Sequence, residues 1–158
     1  LLISGGLNLL GGVGAGGTVK GITMAVVGVG AGTELKGISV AGVGIGSTMI
    51  KGFAIAPAVG GMNTKALVVA PVYFRVGDDN RGDSDYQEGE EVEYQGTMNG
   101  VSVSAFNHVK GTQKGVTIGI FNWARKQNGI QIGLLNYVKE NPKGLRMLPI
   151  FNTRFNKK

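Results

Sequence analysis

An acidic stretch in the middle of the chain holds the side chains best suited to binding a metal ion. Residues 77–95 contain eight of the ten acidic residues and one arginine. The carboxylates of Asp78, Asp79, Asp83 and Asp85 could supply oxygen ligands for Ca²⁺, although their spacing does not match the twelve-residue EF-hand loop. Because like charges repel, the stretch is also predicted to be an exposed loop or a short hairpin. No other cofactor is indicated.

Aromatic and amide side chains recur towards the end of the chain at intervals of 14 or 15 residues. They form two predicted columns, an amide column and a ring column: Asn107, Asn122, Asn136 and His108, Trp123, Tyr137. Rings supply contact area, so the six positions are the candidate surface for a partner or a sugar. The alternative is that the rings only cover the edge of the core. No pair of nucleophile and general base is evident, so no catalytic residues and no enzyme are predicted.

These side chains belong to a repeat that begins with a basic residue or asparagine, usually followed by glycine. It starts at positions 20, 36, 51, 65, 99, 114, 128 and 143, with a spacing of 14 to 16 residues inside each half. Counting the first residue as zero, offsets two, four and seven are apolar in every repeat. Offset three is mostly polar, and offset five is mostly small. Alternation of this kind is typical of a strand half buried against a core, which predicts an all-β chain whose apolar columns are buried.

Every repeat has the same order of large, small and amide positions, which favours identical coils stacked in one direction. The predicted fold is a β-solenoid of about eight to nine coils of 14–16 residues, with asparagines that bond along the stack. The alternative is a small eight-stranded β-barrel or meander, in which alternate strands are antiparallel. The lysines at offset zero are predicted to form a stripe that discourages lateral aggregation: Lys20, Lys36, Lys51, Lys65, Lys114 and Lys143.

The chain is predicted to be one continuous domain in three parts. Residues 1–76 hold four repeats after a partial one, residues 77–98 form the acidic inserted loop, and residues 99–158 hold four more repeats. Glycine accounts for 29 of 158 residues and cysteine for none, which excludes long coiled coils and disulfide scaffolds. The net charge is +6, yet no nucleic-acid-binding motif is recognisable, so nucleic acid is not an expected partner.

Several runs of the repeat, KGISVAGVGIG, NGVSVSAFNHVKG, KGVTIGIFNWARK and NGIQIGLLNYVKENPKGL, resemble a bacterial surface-repeat family. The resemblance implies a secreted, extracellular or outer-membrane-associated protein and supplies no activity. The expected function is a non-enzymatic structural or interaction module of the cell envelope that contacts other envelope proteins, copies of itself or the membrane. The alternatives are an outer-membrane β-barrel, and a carbohydrate- or surface-binding protein whose hydroxyl ladder includes Thr23, Ser39, Ser102 and Thr117.

Overall fold

Strands make up nearly all of the computed structural model, which describes residues 2–8, 11–79 and 94–155. A 3₁₀ turn at Lys143–Leu145 is the one helical element in these ranges. The strands are β1 Leu2–Asn8, β2 Val13–Ala15, β3 Thr18–Ala25, β4 Gly28–Ala41, β5 Gly44–Ile55, β6 Ala58–Val76, β7 Asp78–Asp79, β8 Tyr94–Gln95, β9 Thr97–Val138 and β10 Met147–Arg154.

Successive repeats lie on top of one another and run in the same direction. Strands β1, β3, β4, β5, β6 and β9 pair in parallel in that order, so the chain is a β-solenoid, as the sequence predicted. The register joins like residues, since Lys20 pairs with Lys36, Lys36 with Lys51, and Lys51 with Lys65. The alternative of an antiparallel barrel or meander is therefore wrong. The outer-membrane barrel function, which depended on that fold, has no support from the strand pairing.

In five repeats, the glycine after the lysine or asparagine has a positive φ and kinks the strand. Gly37 has φ +119° and Gly115 has φ +118°, a region that side chains with a Cβ rarely adopt. A Cβ on Gly37 would also collide with the carbonyl oxygen of Gly21 in the coil below. The inside–outside alternation continues through this position, because Leu35 and Ser39 are buried while Lys36 and Ile38, two residues apart, are both exposed.

The observed burial of the repeat is the reverse of the prediction. The apolar residues at offsets two and four point outward, and Ile22 and Ile38 are 59% and 41% exposed. The smaller residues between them point inward, so Thr23 and Ser39 are 1% and 4% exposed. The prediction of buried apolar columns at these offsets is wrong, because the narrow interior of the coil accepts the small and polar residues instead.

The interior changes from apolar to polar along the stack. The residue before each lysine or asparagine is buried in seven successive repeats: Val19, Leu35, Ile50, Thr64, Met98, Gln113 and Gln127. Polar side chains in the last coils bond to one another. Asn107 Nδ2 donates to Asn122 Oδ1 at 2.7 Å, and Asn122 Nδ2 donates to Asn136 Oδ1 at 2.7 Å, which confirms the predicted asparagine ladder.

The eighth repeat departs from the others. After the turn at Lys143–Leu145, β10 pairs with β9 in the antiparallel direction, with Phe151 opposite Ile132. The coil count therefore differs from the predicted eight to nine, and Lys143 does not join the lysine stripe. The register of this antiparallel pairing shifts between Leu148 and Ile150, the two residues on either side of Pro149. At the central insertion, β7 and β8 form a two-residue antiparallel ladder.

Candidate functional site

The outward apolar residues form a continuous surface, here called the apolar face. One of its columns pairs Ile22, Ile38, Phe53, Leu67 and Val101 in register. The next column runs beside it and pairs Met24, Val40, Ile55, Val69 and Val103. Neighbouring strands are about 4.8 Å apart, so each column brings its side chains into contact along the stack.

No charged residue lies in this part of any of the first seven repeats. The corresponding segments are 22–27, 38–43, 53–58, 67–72, 101–106, 116–121 and 130–135. Seven strands at the usual spacing give the face a length of roughly 30 Å. Its bends add further exposed apolar side chains, among them Val43 at 61% and Leu134 at 69%. A contiguous apolar surface of this length is typical of an interaction site in a folded protein.

A row of lysines lies along one edge of the apolar face. Lys20, Lys36 and Lys65 are exposed, and each lies two positions before the exposed apolar side chain of its own coil. Lys51 continues the row and forms an ion pair with Glu34 at 3.0 Å. The row is therefore strongly cationic, because the six residues at offset zero from Lys20 to Lys114 include five lysines and no acid.

Aromatic rings lie along the opposite edge of the face and form an aromatic strip of Tyr73, His108, Trp123 and Tyr137. The ring centroids of His108 and Trp123 are 4.8 Å apart in an edge-to-face arrangement. Those of Trp123 and Tyr137 are 6.3 Å apart and nearly parallel, at 15°. A hydrogen bond of 3.1 Å joins the Tyr73 hydroxyl to His108 Nδ1. The rings of the predicted column therefore contact one another along the stack. Tyr73 extends the column by one member that the sequence analysis did not indicate.

The strip borders a shallow groove with a volume of about 270 Å³. Phe106 and Phe121 form its side towards the apolar face, with ring centroids 6.4 Å apart. His108 and Trp123 form its other side, and both rings are only partly buried. The groove can therefore accept an apolar or ring-shaped group against several aromatic surfaces.

Basic side chains follow the aromatic strip on the side away from the apolar face. Lys110, Arg125 and Lys139 each lie two positions after a ring of the strip. Arg125 Nε is 3.0 Å from Glu140 Oε1, and Lys110 Nζ is 3.9 Å from Asp78 Oδ1. This second basic row is therefore partly neutralised, as the lysine row is at Lys51.

Three of the predicted surface residues are inside the protein. Asn107, Asn122 and Asn136 are at most 1% exposed, so they cannot contact a partner. Their prediction as part of a binding surface is wrong, because the ladder bonds them inside the coil while His108, Trp123 and Tyr137 point outward. The predicted hydroxyl ladder fails for the same reason, since Thr23, Ser39, Ser102 and Thr117 are buried.

The predicted Ca²⁺ ligands are only partly described. Asp78 is exposed, and its carboxylate is 2.9 Å from the Arg75 guanidinium. Asp83 and Asp85 lie outside the described residues, as does the side chain of Asp79. Within the described part of the chain, no group of three or more His, Asp or Glu residues is placed to hold a metal ion.

No helix long and apolar enough to cross a bilayer occurs in residues 2–8, 11–79 and 94–155.

The apolar face is the functional feature that the sequence analysis missed. Its residues were recognised as three apolar columns but assigned to the core. The lysine at offset zero was the available indication, because residues two apart share a face of a strand, so an exposed lysine places offsets two and four outside with it.

Comparison with protein-family models, curated proteins and solved structures gives no significant match for this chain.

Proposed function

We propose that the protein is a non-enzymatic structural and interaction module of the bacterial cell envelope. The observation that carries the proposal is the outward apolar face, which extends over successive coils with no charged residue. The part of an apolar side chain that stays in water adds nothing to the stability of the folded chain. Their regular repetition therefore supports a role in contacting another component.

The stack supports the scaffold part of this proposal. Each coil is held by backbone hydrogen bonds to its neighbours, and the last coils are also joined through Asn107, Asn122 and Asn136. Repeat proteins of this kind present extended surfaces whose shape follows from the stacking of the units. Such a surface keeps matching side chains at fixed intervals, which suits contact with an extended partner.

Cysteine labelling in cells tests the proposal, since the chain contains no cysteine of its own. Ile38→Cys places a thiol on the apolar face, and Thr33→Cys places one at an exposed control position outside it. In the source bacterium, we expect both variants in the envelope fraction, with Cys at position 38 protected from a water-soluble maleimide and Cys at position 33 labelled. Equal labelling of the two positions, or recovery of the protein from the cytosol, would contradict the proposal.

A second candidate function, carbohydrate binding, is favoured by the aromatic strip. The nearly parallel rings of Trp123 and Tyr137 and the groove beside His108 offer stacking surfaces for a sugar ring. Trp123 is the one tryptophan in the chain, so its fluorescence reports binding directly. A glycan array followed by fluorescence titration is the test, with Tyr137→Ala as the variant that should weaken binding. A negative array would remove this candidate.

A further inference from the structure

We propose that the apolar face lies on an anionic lipid surface, with the lysine row at the headgroups and the aromatic strip at the lipid–water boundary. The inference rests on the proposed function and names the component that the face contacts. It depends on the order in which three kinds of side chain occur around a complete coil, with the rings confined to the coils from Lys65 onward. That order is cation, apolar residues, ring and second cation.

One coil shows this order in full. Lys114 lies at the first edge, and Ile118 and Ile120 follow on the face with exposures of 38% and 54%. Trp123 comes next, and Arg125 ends the series at the second edge. Trp and Tyr rings are enriched at the boundary between lipid and water because one end of the ring is apolar and the other polar. Lysine and arginine beyond them suit the level of the headgroups.

The charges favour lipid over a second copy of the chain. The acidic residues are concentrated in residues 77–95, which hold eight of the ten, so the repeats themselves carry a large positive charge. Two copies meeting through their apolar faces would bring cationic rows close to one another, which costs energy. An anionic leaflet instead attracts each lysine near its surface.

The attachment of the acidic stretch is consistent with this orientation. Its first residue, Gly77, and Gly96, which follows its last residue, pack beside Gly111, which lies just beyond the second basic row. Asp78 contacts Arg75 and Lys110 there. Asp78, the one carboxylate of the stretch with a described side chain, thus lies past the edge of the apolar face and not on it. An anionic surface can therefore approach the lysine row without meeting the Asp78 carboxylate.

Vesicle flotation of the full-length protein tests the proposal. The protein is mixed with vesicles of phosphatidylcholine alone or of phosphatidylcholine and phosphatidylglycerol in a 7:3 ratio. We expect flotation with the anionic vesicles, a blue shift of Trp123 fluorescence, and loss of both at high salt. Replacing Lys20, Lys36 and Lys65 with Gln should weaken partitioning about fivefold per lysine, or roughly a hundredfold in total.

Two matched double variants separate the apolar face from general charge effects. Ile38→Glu with Leu67→Glu puts two carboxylates on the face and should abolish flotation. Thr33→Glu with Gln95→Glu adds the same charge at exposed positions outside the face and should leave most binding intact. Circular dichroism of each variant shows that the coil is still folded.

Three outcomes would overturn the proposal. The first is no flotation with either vesicle, and the second is equal flotation of both with no effect of the lysine substitutions. The third is a dimer in sedimentation equilibrium without lipid, abolished by the substitutions at Ile38 and Leu67, in protein that does not float. That last result would identify a second copy as the partner. It would still be consistent with the proposed interaction function. That function is contradicted by the labelling experiment, if Cys at position 38 is as accessible in cells as Cys at position 33.

Discussion

Replacing Asn122 with alanine should lower the unfolding free energy of the last coils of the solenoid. The side chain of Asn122 is fully buried and takes part in three hydrogen bonds. It accepts from Asn107 Nδ2 at 2.7 Å, and it donates to Asn136 Oδ1 at 2.7 Å and to the Ile132 carbonyl at 2.9 Å. Alanine removes all three and leaves the oxygen of Asn136 without this donor inside the protein.

The size of the effect follows from the partners left behind. A buried polar group without a partner costs about 1–3 kcal/mol. Asn107 Nδ2 also contacts the carbonyls of Ser104 and Ile118, so its loss is partly compensated. The expected destabilisation is therefore about 2–4 kcal/mol in total. At about 2–4 °C per kcal/mol for a chain of this size, the melting temperature should fall by roughly 5–15 °C.

Differential scanning calorimetry measures this change, and Asn99→Ala is the matched control. Asn99 is exposed at the start of its repeat, so its substitution should alter stability by no more than about 0.5 kcal/mol. Hydrogen exchange should show that Asn122→Ala releases protection mainly in residues near 105–138. Equal melting temperatures for the two variants would refute the idea that the buried ladder holds these coils together.

Further predictions concern the glycines and an exposed ion pair. Gly115→Ala should cost about 2 kcal/mol or more in urea unfolding, because Gly115 has φ +118° and a Cβ would meet the Gly100 carbonyl. Gly14→Ala, where a Cβ would meet nothing within 4 Å, should instead be neutral or stabilise by up to about 1 kcal/mol; a similar loss in both would show that the kink is not the reason. Glu140→Gln should change the unfolding free energy by about 0–1 kcal/mol, since its pair with Arg125 is partly exposed; a larger loss would mean that the pair is structurally essential.

The direction and register of the coils could be predicted from the sequence, but the orientation of the side chains could not. Like residues recur in the same order, and the parallel pairing of Lys20, Lys36 and Lys51 follows from that. Alternation alone is symmetric, since a shift of one residue exchanges the inner and outer sides of a strand. The lysine at offset zero favours exposure of the side on which the apolar residues at offsets two and four also lie, and the pattern does not show which preference decides.

The reversal of the last repeat had a partial indication in the sequence. Residues 140–144 read Glu-Asn-Pro-Lys-Gly, and Asn141-Pro142 is a dipeptide typical of turns. The apolar pattern after it was strong enough to suggest another coil. The structure uses the same apolar residues in an antiparallel strand, because alternation fits both directions of pairing equally well.

The two halves of the solenoid should respond differently to temperature. The interior is lined by Val19 and Leu35 in the first half and by Gln113 and Gln127 in the second. Exposure of apolar surface raises the heat capacity of unfolding, and exposure of polar surface lowers it. Coils lined by valine and leucine therefore lose hydrophobic stabilisation as the protein is cooled, while coils joined by amide hydrogen bonds are less affected. On cooling, the coils near Val19 should unfold first, and the coils around Gln113 should stay folded longest.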